Sequence, residues 1–150
     1  MRKRASLLAV IGMTAVASLG CENADTNGGG LIPMPITGTP VTETFTGTVV
    51  VAGSDIHSFV VNVSGTVNVT LTAAGPPATI PMGLGVGSPT TSNGSLACSL
   101  LTGATTSTPA GTTPQLSGTL TAGPYCVAVF DNGSGVQTAP VTYTVTVFHT

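Results

Sequence analysis

Hydrophobic and polar positions alternate along most of this chain beyond residue 40, most sharply from His57 to Ala73. Phe59, Val61 and Val63 alternate with Ser58, Val60 and Asn62, and beyond Ser64-Gly65 the residues Val67, Val69 and Leu71 alternate with Asn68, Thr70 and Thr72. A period of two is that of a half-buried strand. A two-residue Ser64-Gly65 hairpin would set Val63 opposite Thr66, and so an apolar face against a polar one. Two arrangements avoid this. Either Thr66 joins the loop and Val63 faces Val67, or the chain crosses to a second sheet and the two apolar faces meet. Both give a layered all-β core.

The same alternation, broken by Gly, Pro, Asn and Ser, predicts about eight strands, at residues 41–51, 56–63, 66–73, 80–86, 96–101, 115–121, 125–130 and 141–148. Strands this short at this spacing predict a single antiparallel β-sandwich, jelly-roll-like, over residues 41–150. The inward positions are Phe45, Phe59, Val61, Val63, Val67, Val69, Leu71, Met82, Leu84, Val86, Leu120, Tyr125, Val127, Val129, Tyr143, Val145 and Val147. Thr, Ser, Gly and Pro crowd residues 102–114, which read as one long loop. No stretch beyond the N-terminal leader has apolar residues spaced i, i+3, i+4, so almost no helix is expected.

The N-terminus is organised differently. Residues 1–20 combine Arg2, Lys3 and Arg4 with an apolar run from Ala5 to Leu19 and small residues at Ala17, Ser18 and Gly20, the plan of an export signal. Ala17-Ser18-Leu19-Gly20-Cys21 resembles the lipobox of bacterial lipoproteins, which implies acylation of Cys21 as the new N-terminus. Cleavage after Ala17, within Ala15-Val16-Ala17, is the alternative and would release the protein. Residues 21–40 hold Asn27-Gly28-Gly29-Gly30 and three prolines without alternation, the composition of a flexible tether. Under bacterial lipoprotein sorting, Glu22 rather than Asp after the cysteine resembles proteins sent to an outer membrane. The expected location is thus a bacterial cell envelope, with a periplasmic or secreted protein as the other outcome.

Charge narrows the function classes. The chain has three Lys and Arg residues, all in the leader, against Glu22, Asp25, Glu43, Asp55 and Asp131. Beyond the leader no cation remains to neutralise a phosphate backbone, which excludes sequence-independent nucleic-acid binding. Lysine nucleophiles and arginine clamps are excluded with it.

Several segments taken in order resemble a known family: Thr44-Phe45-Thr46-Gly47, Ser54-Asp55-Ile56-His57-Ser58-Phe59-Val60-Val61, Ser64-Gly65-Thr66-Val67, Leu120-Thr121-Ala122-Gly123-Pro124-Tyr125-Cys126-Val127-Ala128-Val129 and Tyr143-Thr144-Val145-Thr146-Val147. Together they are similar to the bacterial pre-peptidase C-terminal domain, a β-sandwich appended to secreted proteases and other exported proteins. The resemblance covers the chain from about Val41 onward. It implies an accessory, non-enzymatic module that aids export or stability or binds a surface. The family often has a second acid where His57 stands, and related collagen-binding modules use further acidic groups for calcium. Glu43 and Asp55 alone are a thin ligand set.

Candidate chemistry is sparse. Once Cys21 is assigned to the lipid, Cys98 and Cys126 remain, and two leftover cysteines in an exported protein pair. Cys126 alternates with Tyr125 and Val127, so the bridge is expected outside the main core. His57 and His149 with Asp55 or Asp131 are the residues from which a base or metal site would have to be made. No Gly-x-Ser-x-Gly, His-Glu-x-x-His or Cys-x-x-Cys is present. His57 reads as a polar residue at a strand entrance, and His149, next to the last residue given, as part of a fraying end. Asp131-Asn132-Gly133-Ser134-Gly135 reads as a turn rather than a calcium loop. Weak metal candidates are therefore Glu43, Asp55 and Asp131, and neither a metal nor a cofactor is expected. Thr42, Thr44, Thr46 and Thr48, with Thr66, Thr70, Thr72, Thr142, Thr144 and Thr146, form outward hydroxyl rows. Such rows would suit a glycan or ordered water; high β propensity and a wettable surface explain them equally. The sequence therefore predicts an exported non-catalytic module, with envelope proteins or surface polymers as its possible partners and the membrane reached through a lipid.

Overall fold

The computed structural model describes residues 38–150. They form eight strands: β1 (Val41–Val49), β2 (Ser54–Val61), β3 (Gly65–Gly75), β4 (Met82–Ser92), β5 (Ser95–Thr108), β6 (Leu116–Leu120), β7 (Gly123–Phe130) and β8 (Val141–His149). One sheet has the order β1-β8-β3-β6 and the other β2-β7-β4-β5, with every neighbouring pair antiparallel. The pairs β1·β8, β2·β7, β3·β6 and β4·β5 nest like one long hairpin rolled over itself, which is the jelly-roll arrangement.

The crossing alternative holds at Ser64-Gly65. β2 lies in one sheet and β3 in the other, so Phe59 and Val61 meet Val67, Val69 and Leu71 across the core. Burying both apolar faces at once is worth roughly 1.5–3 kcal/mol for each large aliphatic side chain, which a mispaired hairpin would forfeit. Of the predicted inward residues, Val63 alone stays outside the core, half-buried at the end of the crossing. Val49, Ala74, Ile80 and Val141 join the core in addition. Ala74 faces inward because a bulge between Leu71 and Ala73 shifts the alternation of β3 by one residue.

Residues 102–114 are not one loop. β5 runs to Thr108, and Met82, Gly83, Leu84 and Gly85 pair with its last four residues. β4 and β5 are longer than the sequence suggests because Ser and Thr, read there as turn residues, continue the ladder, Thr105 and Ser107 opposite Gly85 and Gly83 on the outer face and Thr106 and Thr108 opposite Leu84 and Met82 on the inner one. Gly83 and Gly85 lie under Phe130 and Leu100, and added side chains would overlap them. Cys98 and Cys126 form the expected disulfide. Their strands flank β4, so a flat sheet would hold them two strand spacings apart, about 9–10 Å. Their Cα atoms are 5.9 Å apart, so the end of β5 that carries Cys98 curls towards β7 over the outer face of β4.

Candidate functional site

β1 and β2 are the edge strands of opposite sheets on the same side of the sandwich. Along this seam the inward positions of β1, β2 and β8 are in part polar. Residues 43, 45, 47 and 49, then 55, 57, 59 and 61, then 141, 143, 145, 147 and 149 each share one face of a strand. That parity carries Glu43, Asp55, His57, Tyr143 and His149 into the space between the sheets.

Asp55, His57 and Tyr143 make one hydrogen-bonded group. The phenol of Tyr143 donates to Asp55 Oδ2 over 2.8 Å, and His57 Nε2 lies 2.8 Å from the same phenolic oxygen. A phenol has one hydrogen, and Asp55 takes it, so His57 supplies its own Nε2–H to the Tyr143 oxygen. The imidazole stacks on Phe45, with ring centroids 4.8 Å apart and planes 12° from parallel. Gly47 pairs with Tyr143 in the sheet and has no side chain for a reason. A Cβ there would overlap the Asp55 carboxylate and stand 2.7 Å from the Tyr143 hydroxyl. Burial first, then the hydrogen bond and the charge of Asp55, push the Tyr143 phenol well above its ordinary range. Its phenolate is therefore not accessible as a base near neutral pH.

A second pair closes the other end of the seam. His149 Nε2 lies 2.9 Å from Glu43 Oε1, and its ring is tilted over Phe59 at 5.5 Å. His149 is not in a fraying end: it is 2 % exposed. The reason lies beside it, where the Thr150 carbonyl accepts from the amides of Asn62 and Val63 and the Thr150 hydroxyl donates to the Val63 carbonyl. His57 is likewise no simple strand-entrance residue but a partner of two inter-sheet contacts.

The remaining candidate, Asp131, stands apart from both groups. Its carboxylate accepts from the amides of Ala52 and Gly133, fixing the turn after β7 as the Asn-Gly dipeptide predicts. Glu43, Asp55 and Asp131 are thus spent in three separate places, and among the described residues no group of three His, Cys, Asp or Glu side chains is placed to hold a metal.

The threonine rows are in register. Thr44, Thr146 and Thr70 lie side by side across β1, β8 and β3, and Thr46 and Thr48 pair with Thr144 and Thr142. The β3 bulge puts Ala73 and Gly75 next to Thr144 and Thr142, where a third hydroxyl column would otherwise continue. A shallow depression of about 570 Å³ results, with Thr46, Thr48, Thr142 and Thr144 around it. Thr142 donates to the Gly75 carbonyl over 3.0 Å. Cys21 lies outside the described residues, as do the leader and most of the tether.

Parity along each strand was the signal for the seam, since Asp55 and His57 alternate with the same residues as Phe59 and Val61. Which strands would bring their polar positions together was not written in it. No protein-family model matches the chain, and no curated protein matches it either.

Proposed function

We propose that this protein is an exported, non-catalytic module held in a bacterial cell envelope by a lipid on Cys21, presenting the β-sandwich as an accessory or interaction domain. The observation that supports this reading most is the use made of the polar side chains. Glu43, Asp55, His57, His149 and Asp131 are each committed to a contact that holds one part of the sandwich to another. None is left facing a cleft with a nucleophile beside it. The resemblance to the pre-peptidase C-terminal domain points the same way, as does the leader ending at Gly20-Cys21. Glu22 after that cysteine favours the outer membrane as the site of anchoring.

The test is recovery of the protein, with a C-terminal tag, from detergent-solubilised envelope, with a Cys21→Ala version alongside. An intact mass carrying acyl chains on Cys21, loss of membrane association in Cys21→Ala, and a stoichiometric partner retained by the anchored form are the expected results. A mass corresponding to cleavage after Ala17 would remove the anchor from this reading. Capture of no partner by either form would remove the assembly role.

The register of the threonine rows favours a second reading, a face that binds a neutral polysaccharide. Its side chains carry no charge, and hydroxyls surround the depression at Thr46 and Thr144. Thr46→Val and Thr144→Val keep shape and β propensity while removing the hydroxyls. Retention on neutral envelope glycan should fall in the double variant, and unchanged retention would count against this face.

A further inference from the structure

On the side of the sandwich away from the polar seam, β6 and β5 are the edge strands, and there a cavity of about 270 Å³ opens between the sheets. Its floor is the core itself, through the buried side chains of Val67, Val69 and Val86. Leu101, Leu116 and Leu120 form its walls. No charged residue lines it; Thr102, Ser117 and Thr119 are its polar lining residues, and of these Ser117 and Thr119 alternate with the inward positions of β6 and so turn their side chains to the outer face.

Two features of the chain make this space. The first is a missing side chain. Leu116, Gly118 and Leu120 occupy alternate positions of β6, and Gly118 pairs with Val67. A Cβ on Gly118 would meet no atom within 4 Å, and its backbone is not left-handed, so a side chain can start from this position without strain. A glycine inside a strand weakens it, and such positions often mark where a ligand approaches. The second is the course of β5. Between the Gly85–Thr105 and Gly87–Leu100 pairs, four residues of β5 stand against one of β4, and the extra chain carries Leu101 and Ala104 to the cavity wall. Gly103, with φ of 77°, makes the turn of that excursion.

We infer that this cleft is a binding site for the alkyl chain of a neutral amphiphile, with the chain among Val67, Val69, Val86, Leu116 and Leu120 and the head at the mouth beside Thr102. The space between two packed sheets is about 10 Å from backbone to backbone, which suits one alkyl chain rather than a fused ring system or a polymer. An uncharged mouth fits an alcohol or glycerol head, and with no Lys, Arg or His among the lining residues a carboxylate would find no cation there. The site is independent of the lipid on Cys21 and of the module's role in the envelope.

The test is titration of the protein carrying Cys21→Ala, so that no anchoring detergent competes, with hexanol, octanol and decanol, followed by the methyl resonances of Val and Leu. Saturable shifts at Val67, Val86, Leu116 and Leu120 are expected. Affinity should tighten about fourfold per added methylene until the cavity is full and then level off. Gly118→Leu should weaken decanol binding at least tenfold while raising the thermal midpoint, because it fills the same space. Gly118→Ala, a smaller change that the fold accommodates, should weaken it partially. Decanoate at neutral pH should bind several-fold more weakly than decanol. Absence of saturable shifts, shifts confined to the exposed Leu96 and Leu100, or decanol affinity untouched in both Gly118 variants would overturn the proposal. Equal affinity for decanoate would overturn the neutral head.

Discussion

Tyr143 and Asp55 hold the two sheets together across the open side of the sandwich, the phenol donating to Oδ2 over 2.8 Å. Tyr143 belongs to β8, in the middle of one sheet, and Asp55 to β2, at the edge of the other. Their bond also orders His57, whose ring nitrogen completes the group. Tyr143→Phe removes the hydroxyl while keeping the ring, and takes this partner from Asp55 Oδ2 and from His57 Nε2, while Asp55 Oδ1 still accepts from the Ile56 amide. A loss of about 1–2 kcal/mol is expected in chemical denaturation, because hydrogen bonds to charged groups exceed neutral ones and Asp55 keeps some access to water.

Tyr143 also sets an alkaline limit. Its phenol titrates higher in the fold than in the unfolded chain, whose tyrosines lose their proton near pH 10. Above that pH the folded state holds the proton that the unfolded state has released. The stability arising from this group is therefore complete below about pH 10 and declines as pH rises towards the folded value. Tyr143→Phe should flatten the fall of unfolding free energy between pH 10 and 11 relative to the unaltered protein. Parallel pH curves would contradict the assignment.

Gly47 and Asp55 compete for one volume. Gly47→Ala should destabilise by 2 kcal/mol or more, roughly the penalty of overpacking a tight site. The deepest overlap is with the Asp55 carboxylate and the next with the Tyr143 hydroxyl, so Asp55→Ala should relieve part of the cost. In a double-mutant cycle the combined variant should be more stable than the sum of the single effects predicts, by about 1 kcal/mol or more. Additive effects would place the Gly47 constraint elsewhere.

The Cys98–Cys126 bridge closes a loop with a sequence separation of 28 and fixes the curled end of β5 over the Gly-rich face of β4. Loop-closure entropy for that length corresponds to about 3–4 kcal/mol. Cys98→Ala with Cys126→Ala should lower stability by roughly that amount. Hydrogen exchange should rise first in residues 88–100, and a uniform rise over all strands would show that the bridge acts only on the unfolded chain.

His149 is buried and Glu43 is partly open to water, so the two sides of their contact should differ in weight. Glu43→Gln retains a hydrogen-bonding oxygen and should cost about 1 kcal/mol or less, as exposed pairs do. His149→Ala empties a packed position against Phe59 and should cost about 2–3 kcal/mol in the same denaturation assay. Equal losses would mean that the charge, rather than the packing, holds the end of β8.

Much of this architecture was legible in the chain. The period of two marks most of the eight strands but stops short in β4 and β5, and the parity of Asp55 with Phe59, or of His149 with Tyr143 and Val147, carries the inward placement that a reading of His149 as a fraying end passes over. The expected pairing of Cys98 with Cys126 is the disulfide the fold contains. That Lys and Arg do not occur beyond residue 4 is likewise plain in the chain. These conclusions follow from covalent order, since alternation and composition act locally. Only the tertiary structure decides which inner faces meet. Glu43 and His149 are 106 residues apart and Tyr143 and Asp55 are 88 apart, and rolling the nested strand pairs into two sheets brings them into contact. The same rolling turns Gly118 from a small residue in a short strand into an opening beside the core. Its meaning depends on the empty space around it, and that space is bounded by β3, β4 and β5, whose approach no local pattern encodes.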